Sequence, residues 1–447
     1  MYKSFLSWRY LRARRTNLIG ITGIFVGVGA LILILSIMAG FLDQSRKMIR
    51  GSLSDIVIQP RFYDEEIPQR AAPYLELIGS DAGVESVSAR INWYGMIARE
   101  GRLFRFRLED PESSGLAMVE LVGIDADHEL ATTGLAEALA KTRGGYRVAD
   151  PEQPFATPPG FRPTGRPPAS ILVGEQLAAV WDLSRNDVVE IMTAVPDPAT
   201  EGLAQNNRRF VVAGAFRTGE NEIDLHRIYI DREELRDFLG SPNEFSQILV
   251  KCNDYKGEGQ VVRDRLEDQL AEAGLITGRY RSEVRTWETF REVLLGAIEN
   301  EKTLMAIMLS LVLIVAGFTV FAILSMMVTE KRRDIGILTA LGSTPRGVMW
   351  MFLMIGFWDG LLGATLGAIA GTWAAIKIDP IERGLSKAFG VEIFDRSVYL
   401  FDHIPSVVDP VGVAMIWTGA IVCTLTFALI PAWKAARMDP LDALRYE

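Results

Sequence analysis

Four stretches of this 447-residue chain are nearly free of ionised side chains: residues 16–42, 303–329, 347–376, where only Asp359 intervenes, and 410–433. As α-helices rising about 1.5 Å per residue, each is longer than the roughly 30 Å of hydrocarbon in a bilayer. Charged residues make up 23% of the chain while its mean hydropathy is positive, which requires polar and apolar residues to be segregated along it. The pattern predicts an α-helical membrane protein with four transmembrane helices.

Lysine and arginine set its orientation. Residues 1–15 carry Lys3, Arg9, Arg12, Arg14 and Arg15 without an acid, residues 330–346 carry Lys331, Arg332, Arg333 and Arg346, and the tail 434–447 carries Lys434, Arg437 and Arg445. Basic loops stay inside, so these three segments and both termini are expected in the cytoplasm, with 43–302 and 377–409 outside. The first run is about twice as long as the apolar part of a signal peptide and no small-residue cleavage site ends it, so it reads as an uncleaved anchor. Cys252 and Cys423 fall in the outward segment and the last span, which leaves no disulfide or metal framework. A net charge of −9 argues against a nucleic-acid partner.

The segment 43–302 is too long to be a connector. Strand-like runs recur at 55–60, 84–93, 117–125, 170–174, 187–195, 208–216, 226–230 and 245–252, with helical stretches at 175–183, 232–240 and 259–274, which predicts a mixed α+β domain. Residues 149–168 hold seven prolines and two glycines and read as a boundary between two lobes. Residues 195–207, thirteen residues with Pro196, Asp197 and Pro198, read as a semi-rigid protruding loop between two strands, longer than a plain hairpin turn needs. Phe41, Leu42, Ser45, Met48 and Ile49 after the first span, and Trp287, Phe290, Leu294, Ala297 and Ile298 before the second, recur at helical spacing. Both spans are therefore expected to continue outward as a packed stalk. Met38, Phe41, Leu42, Leu294 and Ile298 offer an apolar surface at that level, continuous with the leaflet and in contact with membrane lipid.

In the third span Gly356, Gly360 and Ala364 are four apart, as are Gly363, Gly367 and Gly371; Gly23 and Gly27 repeat the device in the first. Small residues at this period let helix backbones approach in lipid, so the third span is expected inside a bundle or a subunit interface. Asp359, placed near the cytoplasmic third of that span, is costly there unless paired or hydrated. The three histidines have no partners at ligand spacing, and neither a phosphate loop nor a nucleophile elbow occurs, so this chain is not read as an enzyme.

Between the second and third spans "EKRRDIGILTALGSTPRGV" alternates charges with aliphatics, and Ile335, Leu338 and Leu341 share a face at i, i+3 and i+6. Gly342 and Pro345 stop this helix. That segment, the amino-terminal "SWRYLRARR", "VGEQLA" with "FVVAGAFRTGENEID" in the outward domain, and the terminal "PAWKAARMDPLDALRYE" resemble the LolC/LolE family of permeases, which has an FtsX-type core and a MacB-like, two-lobed periplasmic domain. The resemblance covers almost the whole chain. The 149–168 insert lies outside it, and Asp359 stands where the family's third span is usually apolar.

The resemblance implies an inner-membrane permease subunit that releases acylated lipoproteins with ATP hydrolysed elsewhere, the acyl chain leaving the leaflet beside Met38, Phe41, Leu42, Leu294 and Ile298. ATP and magnesium would sit on a LolD-like ABC ATPase, which would receive Arg332, Arg333, Asp334, Ile335, Leu338, Leu341 and Gly342 as a coupling helix. A second copy or a related permease would complete the complex, and a LolA-like periplasmic carrier would be caught by a hook at Pro196, Asp197 and Pro198. Export of peptides or drugs in the manner of MacB, and FtsX-like transmembrane signalling, are the alternatives.

Overall fold

The computed structural model describes residues 16–60, 69–99, 116–162, 168–197, 202–276, 283–390 and 403–438. Along the chain its elements are α1 (Thr16–Leu53), β1 (Ile56–Ile58), α2 (Ala72–Gly79), β2 (Val84–Arg99), β3 (Leu116–Ile124), α3 (Ala126–Thr132), α4 (Leu135–Lys141), β4 (Ala169–Gly174) and α5 (Glu175–Val180). There follow β5 (Val188–Asp197), β6 (Gly202–Phe216), α6 (Asn221–His226), β7 (Arg227–Asp231), α7 (Arg232–Leu239), β8 (Gln247–Cys252), α8 (Tyr255–Glu272) and β9 (Val284–Thr286). The chain closes with α9 (Trp287–Phe290), α10 (Glu292–Glu330), α11 (Arg332–Ala340), α12 (Pro345–Ile376), α13 (Ile378–Phe389) and α14 (Pro410–Ala436). Among the described residues four helices, α1, α10, α12 and α14, are long and apolar enough to cross a membrane. The described residues 45–295 form one compact unit and the remainder another.

In the strand domain β2 is the shared element. Its first half, Val84 to Arg90, pairs with β8, which leads on to β1 and β9; its second half pairs with β3 and β5. From β3 the pairing runs through β7, β4, β6 and β5 back to β2, so six strands close on themselves. Alternation along these strands divides their residues between two layers. Leu121, Ile171, Val173, Ile228 and Ile230 enter one core, while Val122, Leu172 and Tyr229 enter a second beneath Leu135 and Leu139 of α4. The four-stranded half buries Ile56, Ile248 and Val250 beneath Tyr74, Ile78, Val262 and Leu266 of α2 and α8.

Two expectations are corrected here. Residues 149–168 are not a boundary, because β3 before the segment and β4 after it both pair with β7 in the closed ring. The described part of the segment instead lies on that ring: Pro154 and Pro158 are buried and Phe155 packs on the core under α4. Nor is 195–207 a thirteen-residue loop. Strands β5 and β6 continue into it, with Val195 opposite Ala204, Pro196 opposite Leu203 and Asp197 opposite Gly202. It is a two-stranded arm whose β2-side neighbour ends at Met192, so Pro196 lacks an amide hydrogen where its strand has become an edge. Pro198 lies outside the described residues.

In the membrane unit α12 is central. A methyl built on Gly363, Gly367 or Gly371 would stand 2.8 Å from Ile24 Cβ, 2.7 Å from the Phe25 carbonyl and 2.6 Å from the Gly29 carbonyl, all on α1. On Gly356 and Gly360 it would meet Ala428 at 2.6 Å and Thr424 at 3.1 Å, both on α14. The two glycine rows thus seat two different neighbours, while Gly23 and Gly27 face Ala316 and Leu313 of α10. Asp359 lies 14 residues into the 32-residue α12, about 21 Å from its first residue. It is buried, and its Oδ1 has no hydrogen-bond partner.

Candidate functional site

The link between α10 and α12 is built by its own sequence. Lys331 Nζ donates to Asp334 Oδ2 at 2.8 Å across the first turn of α11. At the other end the Ser343 amide donates to the Leu338 carbonyl and the Gly342 amide to the Thr339 carbonyl, each at 3.0 Å. Gly342 takes φ +97°, the left-handed conformation this C-terminal cap requires. Two residues beyond Gly342, Thr344 Oγ1 accepts from the Gly347 amide at 3.2 Å and Pro345 occupies the first turn of α12. The Gly-Ser-Thr-Pro sequence therefore stops one helix and starts the next, fixing α11 against the bundle.

The apolar stripe is split between two faces. Ile335 is 1% exposed among Met327, Met351 and Phe352, and Leu338 packs on the same core. Leu341, at 80% exposure, and Ile337 point away from it. Successive residues of a helix turn by about 100°, so i, i+3 and i+6 already span about 120°, and the bundle takes the first two. Arg333 and Gly342 are exposed; Arg332 and Asp334 are half-buried. The free surface of α11 is thus charged at its start and apolar at Ile337 and Leu341.

The stalk residues are offset in a similar way. Ile49, Leu53, Val57, Leu249, Trp287 and Leu295 form one core, joined by Phe290. Leu295 rather than Leu294 faces inward, because α9 ends at Phe290 and Arg291 (φ −107°, ψ 23°) shifts the helical phase before α10 begins. Leu294 is exposed, Met38, Phe41 and Ile298 are half-buried, and Leu42 is buried, so Leu42 offers no surface to an acyl chain.

Sequence reasoning missed the joint at the end of α1. Asp55 accepts from Arg50 Nε at 2.6 Å through Oδ1 and from the Cys252 amide at 2.9 Å through Oδ2. Its backbone pairs with Val250 and Trp287, and Ser54 turns the chain at φ +61°. Two further contacts hold the same helix: the Gly134 amide donates to the Gly51 carbonyl at 2.8 Å, and Gly219 lies against Met48. Gly219 belongs to a turn closed by Asp224, whose carboxylate accepts from the Thr218 amide and hydroxyl and from the Gly219 amide. A methyl on Gly174 would overlap the Asp224 carbonyl, so "VGEQLA" and "RTGENEID" are two halves of one contact. Burial raises the Asp224 carboxyl above its usual range. Acidic residues at helix ends are common, and only their partners, distant in sequence, distinguish Asp55.

Nearby, Glu129 on α3 accepts from Ser88 Oγ at 2.7 Å and from Arg90 Nε at 2.9 Å, and pairs with Arg90 Nη2, all three residues buried. Arg227 pairs with Glu120, and both guanidiniums lie over the Tyr229 ring. This network locks β2 to β3 and β7 at the point where the two halves of the domain meet. Among the described residues no cluster of histidine, cysteine or carboxylate side chains could hold a metal.

Comparison with known proteins places this architecture. Residues 18–267 match the MacB-like periplasmic core domain and residues 306–440 the FtsX-like permease C-terminal domain. The chain belongs to the family of permeases that carry a MacB-like periplasmic core domain. It is 27% identical over 447 residues to the lipoprotein-releasing system transmembrane protein LolC of Xylella fastidiosa, covering 98% of this chain and 97% of that one. With LolE of Haemophilus influenzae it shares 21% over 448 residues, covering 98% of each. The macrolide export protein MacB of Neisseria meningitidis is 24% identical over 267 residues, which is 58% of this chain and 37% of MacB. Within the family the chain is a LolC/LolE-type permease, multi-pass in the inner membrane.

Proposed function

We propose that this chain is a permease subunit of a lipoprotein-releasing ABC transporter, moving acylated lipoproteins from the outer leaflet of the inner membrane to a periplasmic carrier. Similarity to LolC and LolE along the whole chain supports this over drug export, since the likeness to MacB leaves most of MacB unmatched. ATP and magnesium belong to a partner ATPase that docks on the free face of α11, with both termini and α11 in the cytoplasm. A second copy or a related permease completes the assembly, and the β5–β6 arm at Pro196 and Asp197, together with Pro198 next in sequence, meets a LolA-like carrier. A periplasmic domain of two lobes sharing β2 is in keeping with the two sets of cores.

The observation that carries the mechanism is α1 itself. It runs unbroken from Thr16 to Leu53, and Asp55, Gly51 and Met48 fasten its end to β8, α4 and the Gly219 turn. A helix continuous from membrane to domain transmits displacement without a compliant loop between them. The lipid chain would leave the leaflet beside Met38, Phe41 and Ile298, apolar residues that remain partly accessible. Photo-crosslinkers at these three positions should capture an acylated lipoprotein and not its unacylated form. Equal capture of both forms would argue for soluble cargo.

A further inference from the structure

The segment 377–409, read from sequence as a loop, opens with the twelve-residue helix α13, separated from α12 by Lys377 alone. The helix is amphipathic. At about 100° per residue, Ile381, Leu385 and Phe389 fall on one side and Arg383 and Lys387 on the opposite one. Its third side faces the protein: Asp379 Oδ1 accepts from the Ile404 amide at 2.8 Å, and buried Glu382 accepts from Ser386 Oγ at 2.9 Å. The anchored side is thus polar, while Leu385 and Phe389 stay 42% and 73% exposed.

Just before this helix, across Lys377 alone, the last turns of α12 also present exposed apolar side chains, Trp373 and Ile376. A soluble surface rarely leaves such residues uncovered beside a membrane span, whereas an amphipathic helix with bases opposite its apolar arc is the form that lies in a bilayer interface. We propose that α13 is a membrane-surface helix, with Leu385 and Phe389 bedded in the acyl border of the outer leaflet and Arg383 and Lys387 at headgroup depth. The proposal rests on the four-span reading of the chain. Gly390, at φ +67°, ends the helix before it can leave that plane. The following segment is held to the bundle: Ser406 Oγ donates to the Ala375 carbonyl at 2.7 Å, the Val407 amide donates to the Ser36 carbonyl at 2.9 Å, and Pro405 and Ser406 lie against Gly40. Lipid contact through α13 thereby fixes the depth of α12 and, through this strap, of α1.

The test uses the full chain with its partner ATPase in phosphatidylethanolamine–phosphatidylglycerol vesicles. Nitroxide labels are placed on Arg383→Cys, Leu385→Cys, Lys387→Cys, Phe389→Cys and, as a lipid-facing reference, Trp373→Cys, in a Cys252→Ser, Cys423→Ala background. Labels at 385 and 389 should be relaxed more by oxygen than by a nickel chelate, as at 373, with the order reversed at 383 and 387. Oxygen preference at 373 combined with nickel preference at 389 overturns the proposal alone, whereas nickel preference at 373 overturns the span beneath it. Labels at 385 and 389 closed to both reagents mean that a protein, such as a second copy, covers the face, which also overturns it. Should that background fail to assemble, Phe389→Trp on the otherwise native chain answers the same question. Acyl-brominated lipid should quench its fluorescence beyond the native level, and unchanged quenching refutes lipid contact.

Discussion

Replacing Leu341 with aspartate separates the two faces of α11. Leu341 is 80% exposed and packs on nothing that the change would disturb. If the partner ATPase buries it, the substitution forfeits about 1.5–3 kcal/mol of apolar burial and places a carboxylate in an apolar groove at a further cost of about 1–3 kcal/mol. At about 1.4 kcal/mol per tenfold, a total of roughly 2.5–6 kcal/mol weakens the ATPase complex by about two to four orders of magnitude. The assay is titration of the purified ATPase against full-length permease in detergent, with melting of the permease followed in parallel. Leu341→Asp should abolish measurable association with the melting temperature unchanged. Ile335→Asp, at a side chain buried against Met351 and Phe352, should lower the melting temperature. Leu341→Asp and Ile337→Asp variants that both bind within twofold of the native chain would refute a docking role for this face.

Further outcomes follow from the packing and the buried charges. Gly371→Val, whose side chain would meet the Gly29 backbone, should destabilise the bundle by several kcal/mol, whereas Gly384→Val, on the open side of α13, should be mild; thermal melts in detergent separate them. Glu129→Ala strands Arg90 without its carboxylate and should cost about 3–5 kcal/mol, part of which Arg90→Met with Glu129→Leu recovers, read by the same melts. The Cys252 thiol is pushed up to about 12 by burial first and the Asp55 carboxylate second. It should therefore resist maleimide at pH 8 in a Cys423→Ala chain until denaturant exposes it, since the thiolate is the reactive form. A thiol raised in the folded state stabilises fully below its unfolded value of about 8.5, and that contribution should fade as pH rises toward 12.

Strand-forming runs were legible where β-branched residues alternate: each of the eight runs named from sequence overlaps one of β1 to β8, though β2 and β6 extend six residues beyond theirs, while β9, three residues long, carries too little pattern to be seen. The spans were legible because a bilayer imposes length and apolarity together. The glycine rows announced close packing, but which row meets α1 and which meets α14 depends on the bundle and is absent from any local pattern. Phase was the recurrent difficulty. Arg291 rotates the inward face from Leu294 to Leu295, and the bundle takes Ile335 and Leu338 from the α11 stripe. The β5–β6 arm was misread because Pro196 and Asp197 signal a turn, and its strand pairing is decided by residues across the hairpin. Asp55 was invisible for the same reason, since its partner Cys252 is nearly two hundred residues away.

The central claim is that this permease turns ATP hydrolysed by its partner into release of a lipid-anchored protein, with Asp55 carrying the motion into the periplasmic domain. The direct measurement is release from proteoliposomes holding the permease, its ATPase and an acylated lipoprotein, with a periplasmic carrier outside, comparing the native chain with Asp55→Asn. The native chain should deliver lipoprotein to the carrier only when ATP is supplied, and Asp55→Asn should retain ATPase activity while release falls at least tenfold. Release that proceeds without ATP, or that is unchanged when Asp55 is replaced, would contradict the account.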